Sequence, residues 1–251
     1  MIVRLWWKMN ILSEKLSDYI KDFPDLIDFL HRLDVPLGFG DKTIGVICRE
    51  YSIDTFFFTE MLRLIINKKG AIPDNIHRFG LNLTVNYLKN SHKSYLEDYL
   101  PKVEHLIFYL KEKEKSREKD SEVLVKYYGY YKSEVIKHLE YEDKTIFPKI
   151  LKIDEIASSN KINDKTIKWI KKNSITAYSI RHDSLDEKLQ DLKGLLIMYM
   201  KPFKSYSIVR DLIKTLYDLE NDLKLHELIE NHILFPQAIG LEESITIPSG
   251  K

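Results

Sequence analysis

The stretches "HLEYEDKTIFP" (138–148) and "HELIENHILFP" (226–236) read as one phrase written twice, H-x-x-x-E-x-x-x-[IL]-F-P. The chain has only 8 His, yet two of them open this frame, each four residues before a Glu. In an α-helix, positions i and i+4 lie about 40° apart, one turn above the other. His138 and Glu142 can therefore reach one point, and so can His226 and Glu230.

Each phrase closes a long segment with a 3.6-residue apolar period, and four such segments are predicted. The first, about 82–114, carries Leu88, His92, Leu96, Tyr99, Val103, Leu106 and Leu110 on one stripe, with Pro101 expected to kink it. The second, about 120–147, carries Leu124, Tyr128, Tyr131, Val135, His138 and Glu142. The third, about 174–199, carries Ile175, Tyr178, His182, Leu185, Leu189, Leu192 and Leu196. The fourth, about 206–234, carries Leu212, Leu216, Leu219, Leu223, His226 and Glu230, with Pro202 as a stop and Ser207 as its N-cap. The charged run "KEKEKSREKD" (111–120) reads as solvated helix ends and a turn. Apolar spacings of 3 and 4 on all four stripes predict an all-α protein built on an antiparallel four-helix bundle over 81–238. The Gly- and Pro-bearing stretch 67–80 reads as a linker, and 9–66 as a small helical N-terminal domain.

The inward stripes are apolar except at matched places. His92 precedes His138 by 46 residues and His182 precedes His226 by 44, so a hairpin of the type His … His-x-x-x-Glu is made twice. A lone His on such a stripe is ordinarily a hydrogen-bonded core residue, and a lone H-x-x-x-E an ordinary helical contact. Six such positions in matched halves are not. Packed together, the hairpins bring four imidazoles and two carboxylates into one core, where an uncompensated buried carboxylate costs several kcal/mol. Two cations resolve this, each taking two His, with both Glu bridging. The donor set suits iron, manganese or zinc, and open positions suit iron that handles small ligands. "HELIE" is not the H-E-x-x-H of zinc proteases, and the Glu-x-x-His of ferritin-like bundles has another order and spacing.

The two phrases and their matched hairpins resemble the hemerythrin-like family, and more closely its di-iron proteins for repair of iron centres. The resemblance covers roughly 82–238 and implies His92, His138, Glu142, His182, His226 and Glu230 as ligands of two non-haem iron ions, oxo- and carboxylate-bridged. Oxygen-carrying hemerythrins have a His-x-x-x-His pair on the third helix. Here Asp186 follows His182, which makes oxygen transport the weaker reading. The resemblance implies a cytoplasmic homodimer of the nitrosative and oxidative stress response. Its expected work is restoring damaged iron–sulfur clusters, with nitric oxide or oxygen chemistry at the metals. The alternative is a module that binds or senses diatomic gases and signals through the N-terminal domain.

Relatives in that family carry adjacent cysteines in the N-terminal domain, of the sort Cys-Cys-Gly-Gly. The corresponding stretch "LDVPLGFGDKTI" (33–44) has none, and Cys48, the chain's single Cys, reads as a buried small residue. One Cys excludes an intrachain disulfide and fits a reducing compartment. Residues 42–65 have the rhythm of a helix-turn-helix, but "DTFFFTEMLRLI" is too aromatic for a DNA groove and reads as packing against a neighbouring domain. A net charge of +1 gives no case for nucleic acid or membrane, and no apolar run approaches the roughly 20 residues of a membrane span. Residues 1–8 read as an extension before Met9.

Among secondary candidates, Glu134 lies one turn before His138, where it can relay a proton or simply face solvent. Tyr128 and Tyr131 read as core filling, and His31, His77, His105 and His232 as structural or surface residues.

Overall fold

The structure is a computed structural model and describes residues 11–67, 79–159, 162–180 and 185–246. The extension 1–8, His77, His182 and most of the expected linker lie outside the described residues. Every regular element described is a helix or helical turn, and one isolated bridge pairs Lys15 with Thr43. No described helix is long and apolar enough to cross a membrane. The chain divides into two compact units after Gly80.

The first unit holds α1 (Leu16–Asp22), α2 (Leu26–Arg32), α3 (Ile44–Glu50) and α4 (Thr55–Ile66). Thr43 caps α3 and Asp54 caps α4, each side chain accepting a backbone N–H of the first turn. The aromatic face of α4 is buried, with Phe58 against Phe29 of the same unit at 5.0 Å between ring centroids. In the loop before α3, Gly38 and Gly40 have φ of +96° and +64°, which side-chain-bearing residues rarely adopt. Cys48 is buried, and burial, aided by the charge of Asp54, pushes its thiol up to about 11. It is a packed small residue, as expected.

The second unit runs α5 (Leu81–Ser94), α6 (Leu100–Lys113), α7 (Glu118–Tyr141), α8 (Phe147–Ser159), α9 (Asp164–Lys172), α10 (Ile175–Ser179), α11 (Asp186–Gly194), α12 (Tyr206–Ile229) and α13 (Phe235–Thr246). Three of the junctions are wide π turns rather than loops: Tyr95–Tyr99 joins α5 to α6, Glu142–Ile146 joins α7 to α8, and Glu230–Leu234 joins α12 to α13. A fourth π turn, Leu195–Tyr199, closes α11. Leu100, Phe147 and Phe235 donate their N–H five residues back, to the carbonyls of Tyr95, Glu142 and Glu230. Each is followed by a proline, Pro101, Pro148 or Pro236, which has no N–H for an ordinary α-turn. The π turn absorbs the missing donor, so the disturbance expected at Pro101 takes this form.

Two expectations are corrected. The third segment is not one helix from 174 to 199, because α10 ends at Ser179 and α11 starts at Asp186. "ITAYSI" is poor helix material, with β-branched residues and a Ser179 hydroxyl that bonds back to the Thr176 carbonyl at 3.0 Å. The N-cap expected at Ser207 moves to Ser205, which precedes Tyr206 and whose N–H is taken by Glu114.

The core of this unit lies where α6 packs on α7 and α12, and α11 packs on the same two helices. Val103, Ile107, Leu124, Val135, Leu189, Leu192, Leu212 and Leu216 fill it, each at most 1% exposed. Full burial of each such side chain stabilises by about 1.5–3 kcal/mol. Tyr128 and Tyr131 belong to this core as expected, and the Tyr128 hydroxyl donates to the Leu100 carbonyl beside the first π turn.

Candidate metal centre

His92 stands near the end of α5, Glu142 opens the π turn after α7, His226 lies in the last turn of α12 and Glu230 opens the π turn beyond it. Separate in sequence, these four offer ligand atoms that all lie within 4.8 Å of one another. All are buried: His92 is 1% exposed, Glu142 0%, His226 5% and Glu230 2%. His92 Nε2 is 3.0 Å from His226 Nε2 and 3.4 Å from Glu142 Oε2, and His226 Nε2 is 3.8 Å from Glu230 Oε1.

His138 joins from the outer side. Its Nε2 is 3.2 Å from Glu142 Oε1, and its side chain is 21% exposed. Five of the six expected ligands are thus brought together, four as a compact set and His138 through Glu142. Glu134 goes elsewhere, into an exposed ion pair with Lys188 of α11. His31, His105 and His232 are exposed.

Neighbours that the sequence reading did not single out complete the site. Asp143 Oδ1 is 3.0 Å from His92 Nδ1. When the ring is neutral, Nδ1–H donation to that carboxylate turns the Nε2 lone pair into the cluster, the tautomer a metal requires. The Tyr178 hydroxyl donates to Glu142 Oε1 at 2.9 Å. Phe147 stacks on His92 with centroids 5.4 Å apart, and Tyr95 lies 5.7 Å from the His226 ring. Asp143 had a readable signal, a second carboxylate directly after the motif Glu. Tyr178 lies on the apolar stripe of the third segment, where nothing in the spacing marks its hydroxyl.

Burial works against a charged His92 ring, but the hydrogen bonds of Asp143 and Glu142 outweigh it and leave its pKa raised. Glu230 is pushed well above the usual carboxylate range, first by burial and then by the negative charge of Glu142. Burial, with the charge of Glu142, also pushes the Tyr178 phenol up, so its hydroxyl keeps the hydrogen it donates.

The chemistry of this donor set fits a cation. Two imidazoles and two carboxylates with under a tenth of their surface exposed are mutually repelling or hydrogen-sharing on their own. A metal ion among them would hold both carboxylates as anions and take both ring nitrogens. The buried cluster of His92, Glu142, His226 and Glu230 can therefore hold a metal ion. Compared with models of protein families and with curated proteins, the chain matches none.

Proposed function

We propose that this chain is a hemerythrin-like, non-haem di-iron protein of the nitrosative and oxidative stress response. Its work would be the repair of iron–sulfur centres, with nitric oxide or oxygen handled at the metals. The observation that carries the reading is the convergence of His92, Glu142, His226 and Glu230 from three separated stretches into one buried set. His138, whose Nε2 lies 3.2 Å from Glu142 Oε1, would serve a second ion. His182, outside the described residues, completes the ligand set that the family resemblance implies.

In this reading α5–α6, α7, α11 and α12 are the antiparallel four-helix bundle. The cross-links Lys132–Glu104 and Lys111–Glu122 support it, since along α6 and α7 they run in opposite sequence directions. The four His and two Glu would hold two irons, which when bound supply open coordination positions and one-electron redox chemistry. The chain's own part is to fix and shield. Asp143 holds the His92 ring in its ligating tautomer, Tyr178 holds Glu142, and Phe147 and Tyr95 keep water from the imidazoles. Partners in this reading are diatomic molecules, damaged iron–sulfur proteins and a second copy of the chain, in the cytoplasm.

The test is the metal content and absorption spectrum of anaerobically purified protein beside a His138→Ala, His226→Ala double variant. About two irons per chain, lost in the variant, are expected from the donor count. Absence of metal from the parent protein, with an unchanged variant, would sink the reading.

A further inference from the structure

Glu142 is held from two sides. Its Oε2 faces His92 Nε2 at 3.4 Å, toward the buried cluster. Its Oε1 accepts the Tyr178 hydroxyl at 2.9 Å and lies 3.2 Å from His138 Nε2. Tyr178 belongs to neither repeated phrase and comes from the separate helix α10. That helix is tied down at its start, where Ile175 is fully buried and donates its N–H to Glu242 Oε2 at 3.0 Å. The half-buried Tyr178 ring meets Phe235 edge-on at 5.6 Å and Tyr141 at 5.8 Å. Phe235 is 1% exposed and Tyr141 49%, so the ring reaches from the surface inward to the carboxylate.

We propose that Tyr178 is a positioning residue of the metal centre, its hydroxyl fixing the rotation of the Glu142 carboxylate so that Oε2 presents to a cation held with His92 and His226. The terminal torsion of a glutamate is broad and roughly two-fold, so its own rotamer does not choose this orientation. A donor on Oε1 does. A neutral phenol suits the task because it orients the carboxylate without adding a positive charge that would repel the metal. A lysine at this place would neutralise Glu142 and compete with the cation. Hydrogen bonds to metal-ligating carboxylates commonly set metal affinity in this way. The inference rests on the metal reading above.

The test uses the full chain, metal-free, titrated with Co2+ as the probe, comparing the parent with Tyr178→Phe and Tyr141→Phe. In Tyr178→Phe the Co2+ dissociation constant is expected to rise about ten- to a hundred-fold. The ligand-field absorption bands of the bound Co2+ should also shift, which a purely packing role would not cause. Tyr141→Phe, which removes an exposed hydroxyl one ring away, is expected to change neither. Equal Co2+ affinity and identical bands in Tyr178→Phe overturn the inference and leave the metal reading standing. Loss of helical circular dichroism in that variant overturns it too, since the hydroxyl would then serve the fold. Absence of Co2+ binding by the parent chain overturns the metal reading itself, and the inference with it.

Discussion

Glu220 and Glu230 stand ten residues apart, one inside α12 and one at the π turn that follows it, 3% and 2% exposed. Their electrostatic fates are opposite. Burial alone would raise the pKa of Glu220, but the ammonium groups of Lys193 from α11 and Lys224, the latter at 2.7 Å, outweigh it and leave it lowered. Gln190 adds a hydrogen bond to the same carboxylate. Glu230 is raised by burial, and the Glu142 carboxylate raises it further. One buried carboxylate is thus balanced by cations that the sequence itself supplies. The other is given imidazoles and a second carboxylate, a set that can hold a cation from outside to balance its charge.

Breaking the surroundings of each carboxylate separately tests that contrast. His226→Ala removes one of the four converging donors, and the variant is expected to emerge from desalting without metal while still folded, as measured by elemental analysis and circular dichroism. Retention of metal at the parent's level would erase the distinction between the two carboxylates. At the other carboxylate, Lys193→Met leaves the buried Glu220 with the half-exposed Lys224 as its remaining cation beside the Gln190 amide, and breaking a buried pair this way costs about 3–5 kcal/mol. Denaturant unfolding should show that loss with metal content per folded chain unchanged. Replacing both partners, Lys193→Met with Glu220→Leu, should recover most of it.

The repeated phrase also measures how much of the site the sequence reveals. The spacing of His and Glu was enough to bring His92, Glu142, His226 and Glu230 together: Glu142 and Glu230 sit in i, i+4 pairs with little freedom, after His138 and His226, and the matched hairpin brings in His92. The stripes likewise foretold the all-helical class and the core positions of α6, α7 and α12. The π turns were not legible from periodicity, since a five-residue-back hydrogen bond shifts the apolar rhythm by only one residue. Yet Phe-Pro at 147–148 and 235–236 marks where two of them end. The break between α10 and α11 was missed because Tyr178 and Leu185 keep the apolar spacing across it. The buried Lys193–Glu220 pair was missed because Lys and Glu on a helix ordinarily face solvent.

The two copies of the phrase differ at one informative place. Glu142 is followed by Asp143, which reaches His92 of another helix at 3.0 Å. Glu230 is followed by Asn231, exposed and 3.4 Å from Glu227 one turn earlier. Asp143→Asn should lower metal affinity about ten- to a hundred-fold by weakening the hold on the His92 tautomer. Asn231→Asp should leave affinity within error, with both read by competition against a chelator. Equal effects would mean that surface charge, rather than the bond to His92, sets the affinity.

The smallest expected effect returns to Glu220 and concerns acid. Because its folded-state pKa lies below the ordinary 4.5, its ion pair contributes fully above that value and is lost as pH falls through the lowered one. The unfolded chain binds the proton first, so metal-free protein should lose stability between pH 4.5 and the folded-state value. Glu220→Gln cannot take up that proton. It should be less stable at neutral pH, where Lys193 is left buried beside an uncharged amide, but should lose stability less steeply below pH 4.5. The difference between the two stability–pH curves isolates Glu220 from the carboxylates of the metal centre, which titrate in both proteins. Parallel curves would show that Lys193 and Lys224 do not hold Glu220 as an anion, and the contrast between Glu220 and Glu230 would lose its electrostatic basis.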